Sequence, residues 1–150
     1  RARRAAAGEG RRRGRAGGDG QGGGGAARLD GLCEITVKEA QHNDRVVGEM
    51  PVEAGLLNPF GTAHAGAILW FADVCATALA FGNRDMTEGI SGFPLAVSLN
   101  ANVLSNQKDG VFRATARFVK KGRRLTVVRT VVTGADGKLI AEVTTTHIPA

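Results

Sequence analysis

Asp73 is the single charge between Ala65 and Phe81, in a run that is otherwise nearly all apolar. An isolated carboxylate in apolar surroundings is costly to keep ionised or is forced neutral. Asp73 must therefore face a cavity, a partner or water, and a partly desolvated carboxylate is a competent base or nucleophile. Eight residues upstream lie small residues, Ala63, Ala65 and Gly66, around His64. The nineteen residues Ala63–Phe81 are rich in Ala, Leu and Ile, have no Pro and no Gly after Gly66, and are followed by Gly82-Asn83. That pattern predicts one long helix. The first N–H groups of a helix lack intrahelical partners and sit at the positive end of its dipole. Small side chains there let a carbonyl approach, and one such donor is worth on the order of 10²–10³ in rate. The two features together are suited to attack on a carbonyl carbon.

Spacing adds a constraint. Ala65 and Asp73 are eight residues apart, about 12 Å of helix rise. A reacting carbon needs its donor and its attacking group each within roughly 3–3.5 Å. One helix cannot easily supply both. Two helices related by a two-fold axis can, so the smallest active unit is expected to be a homodimer.

The elements that must position this helix follow in simple order. Cys33–Lys38 alternates apolar and polar, as a half-buried strand does, and Arg45–Glu53 reads as its antiparallel return. Ala54–Thr62 is a loop broken by Gly55, Asn58-Pro59 and Gly61. After the helix and a second loop, Asn83–Pro94, come four strand-like runs: Leu95–Leu104, Val111–Lys120, Leu125–Thr133 and Leu139–Ile148. Short turns between them imply antiparallel neighbours. One helix covers one face of six strands, and a helix apolar on most sides is buried on most sides, so the sheet should wrap around it.

The formal charge of +6 over 150 residues suggests nucleic acid until it is located. Residues 1–28 hold eight of the arginines and only Glu9 and Asp19 as acids, which accounts for the whole excess. The rest is neutral, so a nucleic-acid partner is not expected of it. The 1–28 segment is Arg, Gly and Ala with no larger apolar side chain, and is expected to be a disordered tail ahead of one domain over 29–150. An Arg/Gly tract can bind RNA loosely. An organelle leader would be expected to carry serine, which the tail lacks. No apolar run reaches the roughly 18 residues of a membrane span. Cys33 and Cys75 have neither metal-ligand spacing nor a disulfide-framework count, and His42, His64 and His147 are scattered. No metal or redox cofactor is implied, and a cytoplasmic setting is the default.

The segment Asn58-Pro59-Phe60-Gly61-Thr62-Ala63-His64-Ala65-Gly66 through Asp73 resembles the loop-to-helix signature of the PaaI-type hotdog thioesterases. In the matching places stand Asn58, Gly61, His64, Gly66 and Asp73. Val97–Asn102 resembles the strand that carries the family's active-site serine, at Ser98. Lys120-Lys121-Gly122-Arg123-Arg124 resembles its basic turn, and Gly134–Ala141 its last hairpin. The resemblance covers about residues 32–149. It implies an α+β hotdog fold, a curved antiparallel sheet of about six strands around one central helix. It also implies dimers, commonly paired into tetramers. The family's first glycine after the histidine is Ala65 here, which leaves Ala65 and Gly66 as alternative donors.

The expected reaction is hydrolysis of an acyl-CoA to a free acid and CoA. Asp73 activates water or attacks directly, and Asn58, His64, Ala65, Gly66 and Ser98 serve the site. Lys120, Lys121, Arg123 and Arg124 could hold the CoA phosphates, since arginine forks fit phosphate. Each also has a plainer reading. Asn58 can be a turn residue before Pro59, His64 a helix-start residue, Ser98 an ordinary strand serine, and the basic turn a solubility device. Trp70, Phe71 and Phe93 can line an acyl pocket or be core. The rivals in function are a hotdog hydratase or dehydratase pairing a histidine with the carboxylate, and a non-catalytic acyl-CoA binding module.

Overall fold

The structure, a computed structural model, describes residues 27–30, 34–39, 44–84 and 91–150. The tail expected over residues 1–28 lies outside the described residues up to 26, as do Cys33 and His42. The strands are β1 (Ala27–Asp30), β2 (Glu34–Glu39), β3 (Arg45–Pro51), β4 (Pro94–Val103), β5 (Val111–Lys121), β6 (Thr126–Thr133) and β7 (Leu139–Pro149); the helix is α1 (Ala65–Phe81). A single 3-10 turn over Ala54–Leu56 precedes it. All pairings are antiparallel, in the order β1-β2-β3-β5-β6-β7-β4. The sheet has seven strands where six were expected, because Ala27–Asp30 adds an edge beside β2. β4 is the other edge.

α1 packs against β2 through β7. The alternation read in the sequence decides which residues it meets. Val46, Met50, Phe112, Ala114, Ala116, Val128, Val132 and Val143 are buried under it, with Ile68, Phe71, Ala72, Cys75, Ala76 and Leu79 from the helix. No helix among the described residues is long and apolar enough to cross a membrane.

The helix starts at Ala65, two residues later than its composition predicts. Ala63 and His64 are held by the loop instead. Ala63 N–H donates to the Gln107 carbonyl (3.1 Å), His64 N–H to the Leu56 carbonyl (2.7 Å), and Ala63 bridges Leu57. The helix closes at Gly82, whose φ of 64° suits glycine and whose N–H donates to the Ala78 carbonyl. The start is tied to the far end of β4 by Asn106 Nδ2 donating to the Ala63 carbonyl (2.7 Å). The end is tied to the beginning of β4 by the Phe81 and Phe93 rings, 5.8 Å apart. α1 therefore runs antiparallel to β4.

Helix and sheet approach closely where Gly48 faces Cys75 and Phe71. A Cβ on Gly48 would overlap Cys75 Sγ and press on the Phe71 ring at 3.2 Å. Burial pushes the Cys75 thiol up to about 12, so it behaves as a small apolar group. Overpacking of this kind costs about 1–3 kcal/mol. Gly48→Ala should lower the thermal midpoint by several degrees. Gly48→Ala with Cys75→Ala should recover part of that loss, and strict additivity in thermal melts would show that the two residues do not compete for space.

Candidate active site

The loop before α1 is organised by one side chain. Asn58 Oδ1 accepts from Phe60 N–H (2.9 Å) and Thr62 N–H (3.2 Å), while its Nδ2 donates to Thr62 Oγ1 (2.9 Å). Main-chain bonds from Asn58 N–H to Thr62 and from Gly61 N–H to Asn58 close the same loop, and Gly61 adopts φ 75°. Asn58 is thus committed within the loop, where it aims His64 at the helix start.

His64 is the N-cap. Its backbone is extended, and Nδ1 accepts from Gly66 N–H at 3.0 Å. The fit is close at Gly66, where a Cβ would lie 3.2 Å from that nitrogen and the imidazole would have to shift by a few tenths of an ångström. The consequence for the helix start is specific. Gly66 N–H is occupied by the cap, whereas Ala65 N–H has no partner among the described residues. Beside them is a cleft of about 290 Å³ lined by Gly55, Leu56, Leu57, His64, Gly66, Ala67 and Trp70. Trp70 is 37% exposed; Phe71 is wholly buried in the core, and Phe93 packs on Phe81.

Asp73 does not line this cleft. Two turns further along α1, it faces the β7–β4 side of the sheet. Its carboxyl is raised above the usual range, chiefly by burial; nearby His147 opposes the shift. His147 is lowered, again chiefly by burial, with Asp73 and the Pro94 carbonyl opposing. His147 is 1% exposed and its Nε2 lies 2.9 Å from the buried Thr145 Oγ1. Both Asp73 Oδ1 and His147 Nδ1 are buried without a hydrogen-bond partner. Sequence reading passed over His147 as one of three scattered histidines. The available signal was strand parity: Val143, Thr145 and His147 alternate on the face that meets the helix.

Ser98 is not brought to Asp73. It pairs with Thr146, which alternates with Thr145 and His147, so Ser98 lies on the outer face of the sheet. An irregularity between Ala96 and Ser98 causes this. With one extra residue in β4, Ala96 pairs with His147 and Ser98 with Thr146, so the inward position beside the histidine is Ala96. The placement of Ser98 next to the carboxylate is corrected on that ground.

The basic turn sits at the same end of the sheet as His147. Lys121 pairs with Thr126, Thr126 with His147, and His147 with Ala96, which makes one cross-strand row. Lys120, Lys121, Arg123 and Arg124 are all exposed, and Lys121 Nζ lies 4.9 Å over the Phe118 ring. Among the described residues no group of three His, Cys, Asp or Glu side chains could hold a metal ion.

Residues 60–141 match the model of the thioesterase superfamily. The chain belongs to that superfamily. Its membership places it among thioester hydrolases, and its architecture is the hotdog fold. A candidate esterase of Bacillus subtilis, ComA2, is 32% identical over 80 residues, which span 53% of this chain and 61% of that protein. A candidate esterase of Pseudomonas aeruginosa is 28% identical over 113 residues, covering 74% of this chain and 76% of the other. The crystal structure of a mutant of this Pseudomonas protein, there called a thioesterase, superposes with a TM-score of 0.68 at 26% identity, covering 77% of this chain and 82% of that one. A hypothetical thioesterase of Streptococcus pneumoniae, solved with coenzyme A, shares the fold (TM-score 0.65, 20% identity, 77% and 88% covered).

The cap makes a stability prediction. His64→Ala removes the acceptor for Gly66 N–H and should cost about 1 kcal/mol, read in denaturant unfolding, whereas His64→Asn should retain most of it. Equal losses for both would show that the imidazole packs rather than caps.

Proposed function

We propose that this protein is an acyl-CoA thioesterase, hydrolysing an acyl-CoA to a carboxylic acid and CoA, with Asp73 as general base or nucleophile. The observation that carries the reading is the half-buried Asp73 carboxylate, raised by burial on an otherwise apolar helix, in a chain of the thioesterase superfamily. Attack on the thioester carbon by water or by Asp73 Oδ moves negative charge onto the carbonyl oxygen. Collapse expels CoA as its thiol. The Ala65 N–H is the donor suited to that oxygen, since the neighbouring Gly66 N–H is held by His64.

Within one chain the two halves are separate: the cleft beside the helix start is lined by no acid, and Asp73 lies about 12 Å along the helix from Ala65. A homodimer reunites them. The edge strand β4 supports this arrangement. It is ten residues long and exposes Leu95 (42%), Val97 (54%) and Leu99 (43%). A long apolar edge is an invitation to pair with another strand. Because α1 runs antiparallel to β4, two β4 edges pairing antiparallel set the start of one helix toward the Asp73 of the other. Tetramers made of two such dimers belong to the same proposal.

Coenzyme A is favoured as the carrier by the basic turn, which the Lys121–Thr126–His147 row places about 10 Å from the histidine beside Asp73, two strand spacings away. A protein of the same fold was solved with coenzyme A, as noted above. Trp70 is placed to meet the acyl or pantetheine portion at the cleft. The free, buried Cys75 is in keeping with a reducing cytoplasm.

Thiol release should be measured over aryl, short, medium and long acyl-CoAs. Asp73→Asn should lower kcat on the best substrate by roughly 10²–10⁴. Full activity in that variant would overturn the mechanism, and enoyl-CoA hydration without thiol release would point to a hydratase. The rate should fall as acid protonates Asp73, at a pH above the usual aspartate range because its carboxyl is raised. Mixing Asp73→Asn chains with Ala65→Leu chains, each inactive, should restore part of the activity through hybrid dimers; no recovery in a verified heterodimer would place both groups in one subunit.

A further inference from the structure

A histidine 1% exposed in a sheet must satisfy both ring nitrogens or leave one unpaired. His147 has Thr145 Oγ1 at 2.9 Å from Nε2, and Thr145 is itself fully buried. Its Nδ1 is buried and unpartnered, and so is Asp73 Oδ1 on the helix packed over β7. The two side chains are close enough to interact electrostatically, each opposing the other's shift. A hydroxyl that donates to Nε2 fixes the neutral ring with its hydrogen on Nδ1. That leaves a buried donor on β7 and a buried acceptor on the helix packed over it, with no bond between them in this structure.

We propose that Thr145 and His147 form a brace behind the Asp73 carboxylate. Thr145 Oγ–H donates to Nε2, and a turn of the two side chains, which are not bonded to each other in this structure, lets His147 Nδ1–H donate to Asp73 Oδ1 while the other carboxylate oxygen stays directed at the substrate. The inference rests on the reading of Asp73 as the base. His147 is too deeply buried to touch substrate, so it is a positioning residue. Its effect is to lower the Asp73 carboxyl against the rise that burial causes, and to fix which oxygen reacts. Among the described residues, the inward positions of β3, β4, β5 and β6 carry no titratable group except Lys121, two strands away at the end of the row, and on β2 Glu39 pairs with the inward Val46, four strands from β7. On α1, Cys75 faces Gly48 rather than Asp73. His147 is therefore the titratable group that opposes the effect of burial on Asp73 within one chain.

Two measurements on the full chain test this. Nitrogen-15 NMR of labelled histidine should find His147 carrying its hydrogen on Nδ1, and its titration should move to lower pH in Asp73→Asn, because the carboxylate favours the charged ring. In pH–rate profiles on the best acyl-CoA, His147→Phe should move the acid limb of kcat/KM up by about one pH unit, with KM little changed. His147→Asn, which returns a donor near the Nδ1 position, should bring the limb part of the way back. In the Asp73→Asn background, His147→Phe should have no further effect on the residual rate. A hydrogen on Nε2 with a titration indifferent to Asp73→Asn, or an acid limb unmoved in His147→Phe, would overturn the brace. Full activity in Asp73→Asn would instead overturn the thioesterase mechanism, leaving the NMR result to decide whether the brace exists.

Discussion

One sheet can cover only one side of a helix, and α1 is apolar on nearly all of its sides. Everything else in the molecule answers to that mismatch. The strands bury Ile68, Phe71, Ala72, Cys75, Ala76 and Leu79, and a tight contact, Gly48 against Cys75, shows how closely the helix is drawn down. The side that remains carries Trp70 and Asp73, next to an edge strand with Leu95, Val97 and Leu99 on its surface. An uncovered apolar helix flank continuous with an unpaired edge is half of an interface. In the proposed homodimer a second copy supplies the matching half.

The helix start shows how local chemistry divides the labour of neighbouring peptide groups. Asn58 shapes the loop, the loop sets His64, and His64 takes the N–H of Gly66. What is left over is the N–H of Ala65. The alanine that departs from the family's glycine is therefore at the position whose N–H is left without a partner among the described residues. The closer fit falls instead on residue 66, where the imidazole comes within 3.2 Å of a Cβ position.

Much of this was legible in the sequence. Apolar alternation located the strands of the domain, and the Ala-rich run located the helix. The extra strand Ala27–Asp30 was hidden because its residues look like the end of the Arg/Gly tail. The helix start was displaced by two residues because long-range bonds to Leu56 and Gln107 outweigh the helical preference of Ala63. His147 was missed because its significance is a contact with a helix 74 positions earlier, which periodicity along one strand does not report. Ser98 was misplaced because spacing along a chain fixes a face only while the ladder stays regular.

That irregularity in β4 deserves a wider reading. Before it, even-numbered residues such as Ala96 look inward; after it, the odd-numbered Leu99 and Ala101 do. One inserted residue thus reverses the parity of half a strand while leaving the core beneath α1 untouched. Sliding the bulge by a residue or two exchanges which side chains look toward the carboxylate and which look toward the outside. The fold in this way separates the packed core beneath α1 from a short, re-indexable stretch of its edge strand.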